Sequence, residues 1–211
     1  MNLQEIMNWR YAAKKFDENK EIDENTIRNI LEITGLSASS YGLQPYKFVV
    51  VKNQSLKDKL AEASYGQTNV ANASHLVVFA ARTDINKKFI EDFIKLTAEQ
   101  RKTDAGKFTE FKNMLIKSFA SKTDEAIFDW ASKQAYLALG TFLIACAEKQ
   151  IDACPIGGFV PEKYDKILDL KAYNLRSVVV AAAGYRHPED KYQFFAKVRK
   201  PLDEMIIEIN R

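Results

Sequence analysis

Clusters of positively charged residues occur near both ends of this 211-residue chain. Arg10, Lys14 and Lys15 lie in a short stretch rich in aromatic residues, and Lys197 and Arg199 belong to a second cluster. Guanidinium and ammonium groups that lie close together bind anions, because they donate charge-assisted hydrogen bonds to phosphate or carboxylate oxygens. Arg10 and Lys14 are four residues apart and would share one face of a helical turn. We therefore expect the two ends of the chain to converge on one anionic ligand, the alternative being two solvated charge runs.

The composition is that of an ordinary globular protein. Its 31 basic and 28 acidic residues give a net charge of +3, too balanced to indicate nucleic-acid binding through charge alone. The length and the apolar share of 46% predict a single domain, residues 1–211, with a sizeable core. We see no signal peptide and no apolar run of transmembrane length, so we expect a cytoplasmic protein that contacts neither membrane nor nucleic acid.

Few residues have the types and spacing needed for metal binding or nucleophilic catalysis. The only two cysteines, Cys146 and Cys154, fit neither a disulfide framework nor a metal site, and we expect both to be small buried side chains. There is no G-x-G-x-x-G after a strand, no G-x-x-x-x-G-K-[ST] and no G-x-S-x-G motif. If the protein is an enzyme, a bound cofactor therefore carries the chemistry, and we expect no metal.

The elements that must position the charged ends alternate irregularly between helices and strands. Residues 2–9 predict a short helix, and residues 126–149 predict a long one whose middle is apolar on every side, as in a core or at a subunit interface. A loop of small polar residues leads into the first of about four strands, which together predict an α+β fold rather than a doubly wound parallel sheet. The predicted strands are 48–51, 75–81, a short one starting at 151, and 176–183.

Two segments stand apart from this predicted core. Residues 85–125 contain two charged helical patterns with thin apolar stripes, which we interpret as an excursion that is either a lid over a cleft or a surface helical pair. The tail, about residues 188–211, forms an arm that ends in apolar side chains too numerous to remain in water. Its carboxylates Glu189 and Asp190 are expected to be solvated.

Five short motifs, in their order and spacing, resemble those of the FMN-dependent nitroreductases that use NADH or NADPH. Two of them are the cationic clusters at the chain ends, and the resemblance covers most of the chain. The motifs are Arg10-Tyr11-Ala12-Ala13-Lys14-Lys15-Phe16, Ser37-Ala38-Ser39-Ser40 with Gln44-Pro45-Tyr46, Ala73-Ser74-His75, Pro155-Ile156-Gly157-Gly158-Phe159 and Lys197-Val198-Arg199.

This resemblance implies an α+β nitroreductase-like fold, with a small, mostly antiparallel (mixed) central sheet flanked by helices, a long buried central helix and an intertwined homodimer. It implies that Arg10, Lys197 and Arg199 hold the FMN phosphate. Lys14 would lie at the pyrimidine edge of the flavin, where a cation stabilises the reduced form. The implied cofactor-binding residues are Arg10, Tyr11, Ala12, Lys14, Ser39, Ser40, Gly42, Gln67, Asn69, Pro155, Ile156, Gly157, Gly158, Lys197 and Arg199, and the substrate-lining residues are Tyr41 and Phe119.

The same resemblance implies how the site is shared and where this chain departs from its relatives. Ser39 and Ser40 would reach the flavin from the partner subunit, and residues 155–158 would cover one flavin face. Gly42 and Gly157 stand where relatives often have asparagine and glutamate, and Asn69 stands where some have lysine. The loss of a lysine implies a lower flavin reduction potential.

The implied reaction is a ping-pong hydride transfer from NADH or NADPH to FMN, and from FMN to a small flat acceptor such as a nitroaromatic, a quinone or a free flavin. No catalytic protein residue is implied. One alternative is another reaction on the same scaffold, reductive dehalogenation or enone reduction, which residues 85–125 would decide. A second is a flavin-binding protein without turnover, which a glycine at position 157 permits.

Overall fold

A four-stranded antiparallel sheet forms the centre of the computed structural model, which describes residues 2–209. The strands are β1 (Tyr46–Val51), β2 (His75–Arg82), β3 (Asp152–Ile156) and β4 (Leu175–Gly184). They are arranged in the order β1-β2-β4-β3, so the two longest strands lie in the middle and β3 is an edge strand. All three pairings are antiparallel. The predicted α+β class and the four predicted strands are confirmed.

The two central strands are buried on both faces of the sheet. All of β2 from His75 to Ala81 is buried, as its uninterrupted apolar run predicts. Side chains alternate between two apolar clusters, so Val77 packs on one face and Val78 on the other. Two layers of helices therefore cover this sheet.

Eight α-helices are present among residues 2–209, and short 3₁₀ turns connect several of them. None of these helices is long and apolar enough to cross a membrane. The helices are α1 (Leu3–Trp9), α2 (Glu24–Gly35), α3 (Gln54–Glu62), α4 (Thr68–Asn72), α5 (Lys87–Gln100), α6 (Thr109–Ala120), α7 (Asp124–Glu148) and α8 (Pro161–Ile167).

The longest helix, α7, packs on one face of the sheet as predicted. Phe142 meets Phe79 of β2 nearly edge-on, with ring centroids 5.6 Å apart. The opposite side of α7 exposes Tyr136, Leu137 and Ile144. The helix that reads as apolar on every side therefore buries one face within the protomer and leaves a second apolar face uncovered.

The excursion predicted at residues 85–125 is helical, with α5 and α6 packed against each other and no strand between them. Ile90, Leu115 and Phe119 are almost fully buried in a cluster separate from the two beside the sheet. Leu43, from the polar loop before β1, completes this cluster. The excursion therefore has a small core of its own.

The chain after β4 returns to the N-terminal segment and then forms an arm with little regular structure. A single 3₁₀ turn, Leu202–Glu204, lies within described residues 195–209. Val198 is 84% exposed and Ile207 is 87% exposed. Within one protomer, the apolar arm thus remains uncovered, and the expectation that it is buried stays a prediction.

His75, the first residue of β2, is a structural residue. Its ring is fully buried, and Nδ1 lies 2.9 Å from the hydroxyl oxygen of Ser74. Burial lowers the pKa of His75 below its ordinary value of 6.5, and the positive charge of Lys52 lowers it further. The folded protein therefore holds this imidazole neutral at a pH where the unfolded chain protonates it.

We expect His75 to make the folded state less stable as the pH falls below 6.5. In that range the unfolded state binds one more proton, so the free energy of unfolding falls by about 1.4 kcal/mol per pH unit until the folded pKa is reached. His75→Asn removes the titrating group and keeps a partner for Ser74. Urea unfolding between about pH 7 and pH 5 should show a steeper loss for the wild type. Parallel curves for the two proteins would contradict this assignment.

Candidate functional site

The two ends of the chain meet at a cavity of about 580 Å³ beside the edge strand β3. Residues 8–14 form one wall, residues 192–199 form the other, and one residue each from α7 and β3 completes the lining. The structure thus brings the two cationic clusters together, as the sequence predicts. The lining residues are Asn8, Trp9, Arg10, Tyr11, Ala12, Lys14, Leu143, Pro155, Tyr192, Gln193, Phe195, Ala196, Lys197 and Arg199.

The N-terminal wall is extended rather than helical. Helix α1 ends at Trp9, and Arg10 already has extended backbone angles of φ −70° and ψ 142°. Ala12 forms a parallel bridge with Ala153, so the segment lies along the edge of β3. Arg10 and Lys14 both line the cavity, although the helical turn suggested by their spacing is absent.

Arg186 supports this wall from behind. Its guanidinium carbon lies 4.2 Å from the ring centroid of Trp9 and 4.7 Å from that of Tyr11. The same guanidinium is paired with the buried carboxylate of Asp152, with nitrogen–oxygen distances of 2.6 and 2.8 Å. An ion pair and two aromatic contacts thus fix the aromatic residues on either side of Arg10.

In the C-terminal wall, Lys197 and Arg199 have different roles. The ammonium group of Lys197 donates to the carbonyl oxygens of Met7 and Arg10, at the end of α1 where helix carbonyls lack intrahelical partners. Lys197 thus ties the arm to α1 and has one N–H left for a ligand. Arg199 is exposed, and its Nη1 donates to the carbonyl oxygen of Val198 at 2.6 Å.

Positive charge in the cavity is not balanced by acidic side chains. None of the lining residues in the described part of the chain is aspartate or glutamate. Burial lowers the pKa of Arg10, and the neighbouring Arg199 lowers it further. Burial, followed by the charges of Arg10 and Arg199, likewise lowers the pKa of Lys197. Cations that destabilise one another in this way would be stabilised by a bound anion, and they suit a phosphate ester.

A fully buried thiol, that of Cys154, lies behind the cavity, next to the lining residues Lys14 and Pro155. Lys14 Nζ lies 3.6 Å from its Sγ, and the amide nitrogen of Asn69 lies 3.3 Å from it. Burial raises the pKa of Cys154 by more than Lys14 and Asn69 lower it, so the thiol stays neutral near pH 7. Both cysteines are free and buried, as predicted. Lys14 therefore faces a neutral group, and its charge is left for a ligand.

Comparison with known proteins identifies the family of the chain. A family model described as the nitroreductase family matches residues 7–185. This chain belongs to the nitroreductase family.

Full-length relatives support the same assignment. A candidate NAD(P)H nitroreductase of Bacillus subtilis, YfkO, is 36% identical over 217 residues, covering 94% of this chain and 93% of the relative. A candidate NAD(P)H nitroreductase of Staphylococcus saprophyticus, SSP0379, is 35% identical over 215 residues, covering 96% and 94%.

Solved structures confirm the nitroreductase-like fold. A candidate NAD(P)H:FMN oxidoreductase from Staphylococcus epidermidis superposes with a TM-score of 0.88 at 21% identity, covering 99% of this chain and 97% of that one. A candidate nitroreductase from Exiguobacterium sibiricum, solved in complex with FMN, gives a TM-score of 0.84 at 18% identity, with coverage of 99% and 98%. These identities support the fold alone.

About half of the cofactor-binding residues that we expected in this nitroreductase-family chain line the cavity. Ile156 is only 3% exposed and packs in the core, so it can reach the site through its backbone alone. Gly157 and Gly158 are exposed just beyond Pro155, and Gln67 Nε2 donates to the carbonyl oxygen of Gly158 at 2.7 Å. The expected residues that line the cavity are Arg10, Tyr11, Ala12, Lys14, Pro155, Lys197 and Arg199.

The polar loop that contains Ser39 and Ser40 lies elsewhere in the protomer. The Ser40 N–H donates to Gln134 Oε1 of α7 at 2.8 Å. Gln134 precedes Leu143, the α7 residue that lines the cavity, by nine positions, which is roughly 14 Å along a helix. Neither serine lines the cavity of its own protomer. Their cofactor contact therefore stays a prediction that requires a second subunit.

The expected substrate-lining residues lie beside the helical excursion. Tyr41 is half exposed, has a left-handed backbone with φ +58°, and places its ring 6.1 Å from that of Phe111 in α6. Gly42 follows with φ +72°. Phe119 is 4% exposed and packs edge-on against Trp130 at 4.8 Å. Tyr41 is thus accessible to a substrate, whereas Phe119 belongs to the core of the excursion.

Sequence analysis missed Asp190 as a structural part of this site. We expected it to be solvated together with Glu189, and only Glu189 is exposed. Asp190 is 2% exposed, so that expectation is wrong. The available signal was local, because aspartate often caps a turn, and Oδ1 of Asp190 accepts the N–H of Tyr192 at 3.2 Å.

Proposed function

We propose that this protein is an FMN-dependent oxidoreductase that uses NADH or NADPH. The observation that carries the proposal is the convergence of Arg10, Lys14, Lys197 and Arg199 on one cavity whose described lining has no acidic residue. Its relatives are named as candidate NAD(P)H nitroreductases, and a structure of the same fold holds FMN. The charge and the volume of the cavity suit a phosphate ester attached to a flat ring system.

Arg10 and Arg199 hold the phosphate group from opposite walls. Each guanidinium can donate two parallel hydrogen bonds to phosphate oxygens. Lys197 adds one N–H and keeps the walls together through its bonds to the end of α1. Burial and neighbouring cations lower the pKa of Arg10 and Lys197. A bound phosphate dianion would relieve the repulsion between these cations.

Lys14 and the segment after β3 hold and orient the ring system. Bound FMN supplies the redox chemistry, taking a hydride from NADH or NADPH and passing two electrons to a small flat acceptor in alternating half-reactions. Lys14, whose ammonium group lies beside the neutral thiol of Cys154, would supply positive charge to the ring system, and residues 155–158 would cover one of its faces. Tyr11 stays protonated, because burial and its hydrogen bond to Asp190 raise the pKa of its phenol.

A second copy of the chain completes the site. The protomer leaves two apolar surfaces uncovered, the α7 face of Tyr136, Leu137 and Ile144 and the arm after residue 195. Their burial in a homodimer would bring Ser39 and Ser40 of each subunit to the cavity of the other. Light scattering of the purified protein should give the mass of two chains, and a monomer at micromolar concentration would contradict this arrangement.

The experiment that tests the function is a visible spectrum of the purified protein, followed by anaerobic addition of NADH or NADPH. The flavin absorption should bleach and then return when a quinone, a nitroarene or an enone is added, and the acceptor that restores it fastest identifies the substrate class. A colourless protein that does not quench the fluorescence of added FMN would refute the cofactor. Flavin that is bound but never reduced would refute turnover.

The remaining expectations are kept as parts of this proposal. The chain forms one domain over residues 1–211, with the excursion at residues 85–125 and the arm at about residues 188–211 as its extensions. The excursion borders Tyr41, so its side chains determine which acceptors fit. The cytoplasmic location expected from the sequence stays a prediction.

A further inference from the structure

Asp190 links the two walls of the cavity through a buried carboxylate. Its Oδ2 accepts three hydrogen bonds, from the Tyr11 hydroxyl at 3.0 Å, the Lys14 N–H at 2.8 Å and the Lys15 N–H at 3.2 Å. Its Oδ1 accepts the N–H of Tyr192 at 3.2 Å. A carboxylate with four donors and almost no solvent exposure is fully used within the protein.

The carboxylate is ionised at neutral pH. Burial opposes its charge, but the backbone N–H groups of Lys14, Lys15 and Tyr192, together with the Tyr11 hydroxyl, outweigh this and lower the pKa of Asp190. Charge-assisted hydrogen bonds of this kind are about twice as strong as neutral ones. Asp190 is therefore a firm connection between residues 11–15 and residues 190–192.

The two walls depend on this connection to different degrees. The N-terminal wall is also attached to β3 through the Ala12–Ala153 bridge, and to the chain just after β4 through the Phe16–Arg186 bridge and the His187 N–H, which donates to the carbonyl oxygen of Lys15 at 2.9 Å. Residues 192–199 are attached through Asp190 at their start, through Gln193 Nε2, which donates to the carbonyl oxygen of Pro188 at 2.8 Å, and through Lys197 near their end. Loss of the Asp190 bonds therefore loosens the start of the wall that carries Arg199, whereas the bridge to β3 still holds the N-terminal wall.

We propose that Asp190 is a positioning residue for the phosphate pocket, which holds Arg199 and Lys197 at the distance from Arg10 that a phosphate monoester requires. This inference rests on the proposed function, in which the ligand is FMN. The phosphate pocket combines residues from both ends of the chain, which Asp190 connects. Asp190 thus contributes to the discrimination between FMN and riboflavin, the same ring system without the phosphate.

The test compares Asp190→Asn with a matched variant, Asp165→Asn. Asp165 also accepts a backbone N–H, that of Ser177 at 2.8 Å, but it connects α8 to β4 and does not line the cavity. Asparagine keeps the size of the side chain. Its N–H₂ group cannot accept hydrogen bonds, so it leaves without an acceptor those donors that bond to the replaced carboxylate oxygen. Fluorescence titrations of the apoprotein, well below each melting temperature, give Kd for FMN and for riboflavin.

For Asp190→Asn we expect FMN affinity to fall about tenfold or more while riboflavin affinity changes less than about threefold. Asp165→Asn should keep the wild-type ratio of the two Kd values. If Asp190→Asn does not fold, Tyr11→Phe removes one of the four bonds and should lower the FMN preference in the same direction. Inorganic phosphate should also compete with FMN less well in Asp190→Asn, or in Tyr11→Phe, than in the wild type.

The outcomes separate this inference from the proposed function. If the wild type binds neither flavin, the proposed function fails. If the wild type prefers FMN and Asp190→Asn keeps that preference, or loses affinity for both flavins equally, Asp190 is a general structural link and the inference is overturned.

Discussion

Replacing Arg10 with alanine should weaken FMN binding about 100-fold, which corresponds to about 2.7 kcal/mol. Arg10 lies at the end of α1 between aromatic residues held by Arg186, so its guanidinium enters the cavity from a fixed base. Alanine removes a bidentate donor and leaves Arg199 to balance the phosphate without its opposing partner. Quenching of FMN fluorescence by the apoprotein measures the change directly.

Two further variants show whether charge or geometry matters at this position. Arg10→Lys keeps the charge without the planar fork and should lose about tenfold in affinity. Arg28→Ala removes an exposed helical arginine that pairs with Glu32 on α2, and it should leave FMN affinity unchanged. If Arg10→Ala bound FMN as tightly as the wild type does, the proposal that the phosphate lies in this cavity would be wrong.

Gly184→Ala should destabilise the protein by about 1–3 kcal/mol, because the last residue of β4 has no room for a side chain. A Cβ there would lie 2.9 Å from Cδ1 of Phe16 and 3.2 Å from the backbone nitrogen of Ser74. Phe16 is buried and follows the N-terminal wall, so it can move only by displacing that wall. We expect the melting temperature to fall by about 2–4 °C for each kcal/mol.

Gly35→Ala is the matched control for this substitution. Gly35 is the last residue of α2, and a Cβ there would meet no atom within 4 Å. Alanine should therefore leave stability unchanged or raise it by up to about 1 kcal/mol. A melting temperature for Gly184→Ala equal to that of the wild type would mean that Phe16 relaxes freely.

The elements with strong local patterns were predictable from the sequence. The uninterrupted apolar run of β2 specifies a strand buried on both faces, and Asp23 caps α2 by accepting the N–H of Thr26 at 2.9 Å. The sequence could not reveal the backbone conformation between Arg10 and Lys14. Their spacing of four residues fits a helical turn as well as an extended segment. The bridge from Ala12 to Ala153, which is distant in sequence, excludes the helical turn.

The expectation that Asp190 is solvated failed because its environment is built from contacts between distant segments. The turn that Asp190 caps is a local feature, but three of its four donors, those of residues 11, 14 and 15, lie 175 to 179 positions earlier in the chain, so the sequence around Asp190 does not reveal them. The expected cofactor contacts of Ser39 and Ser40 stay a prediction, since they require a surface that the protomer itself does not provide. Packing explains the position of Phe119, whose ring belongs to the core of the excursion.

The use of both chain ends in one cavity has a consequence for a shortened chain. All four strands lie before residue 185, but residues 192–199, which carry half of the cationic lining, follow them. The sheet and the phosphate pocket thus depend on different parts of the chain. A chain that ends before residue 192 should keep its sheet yet be unable to retain the flavin phosphate.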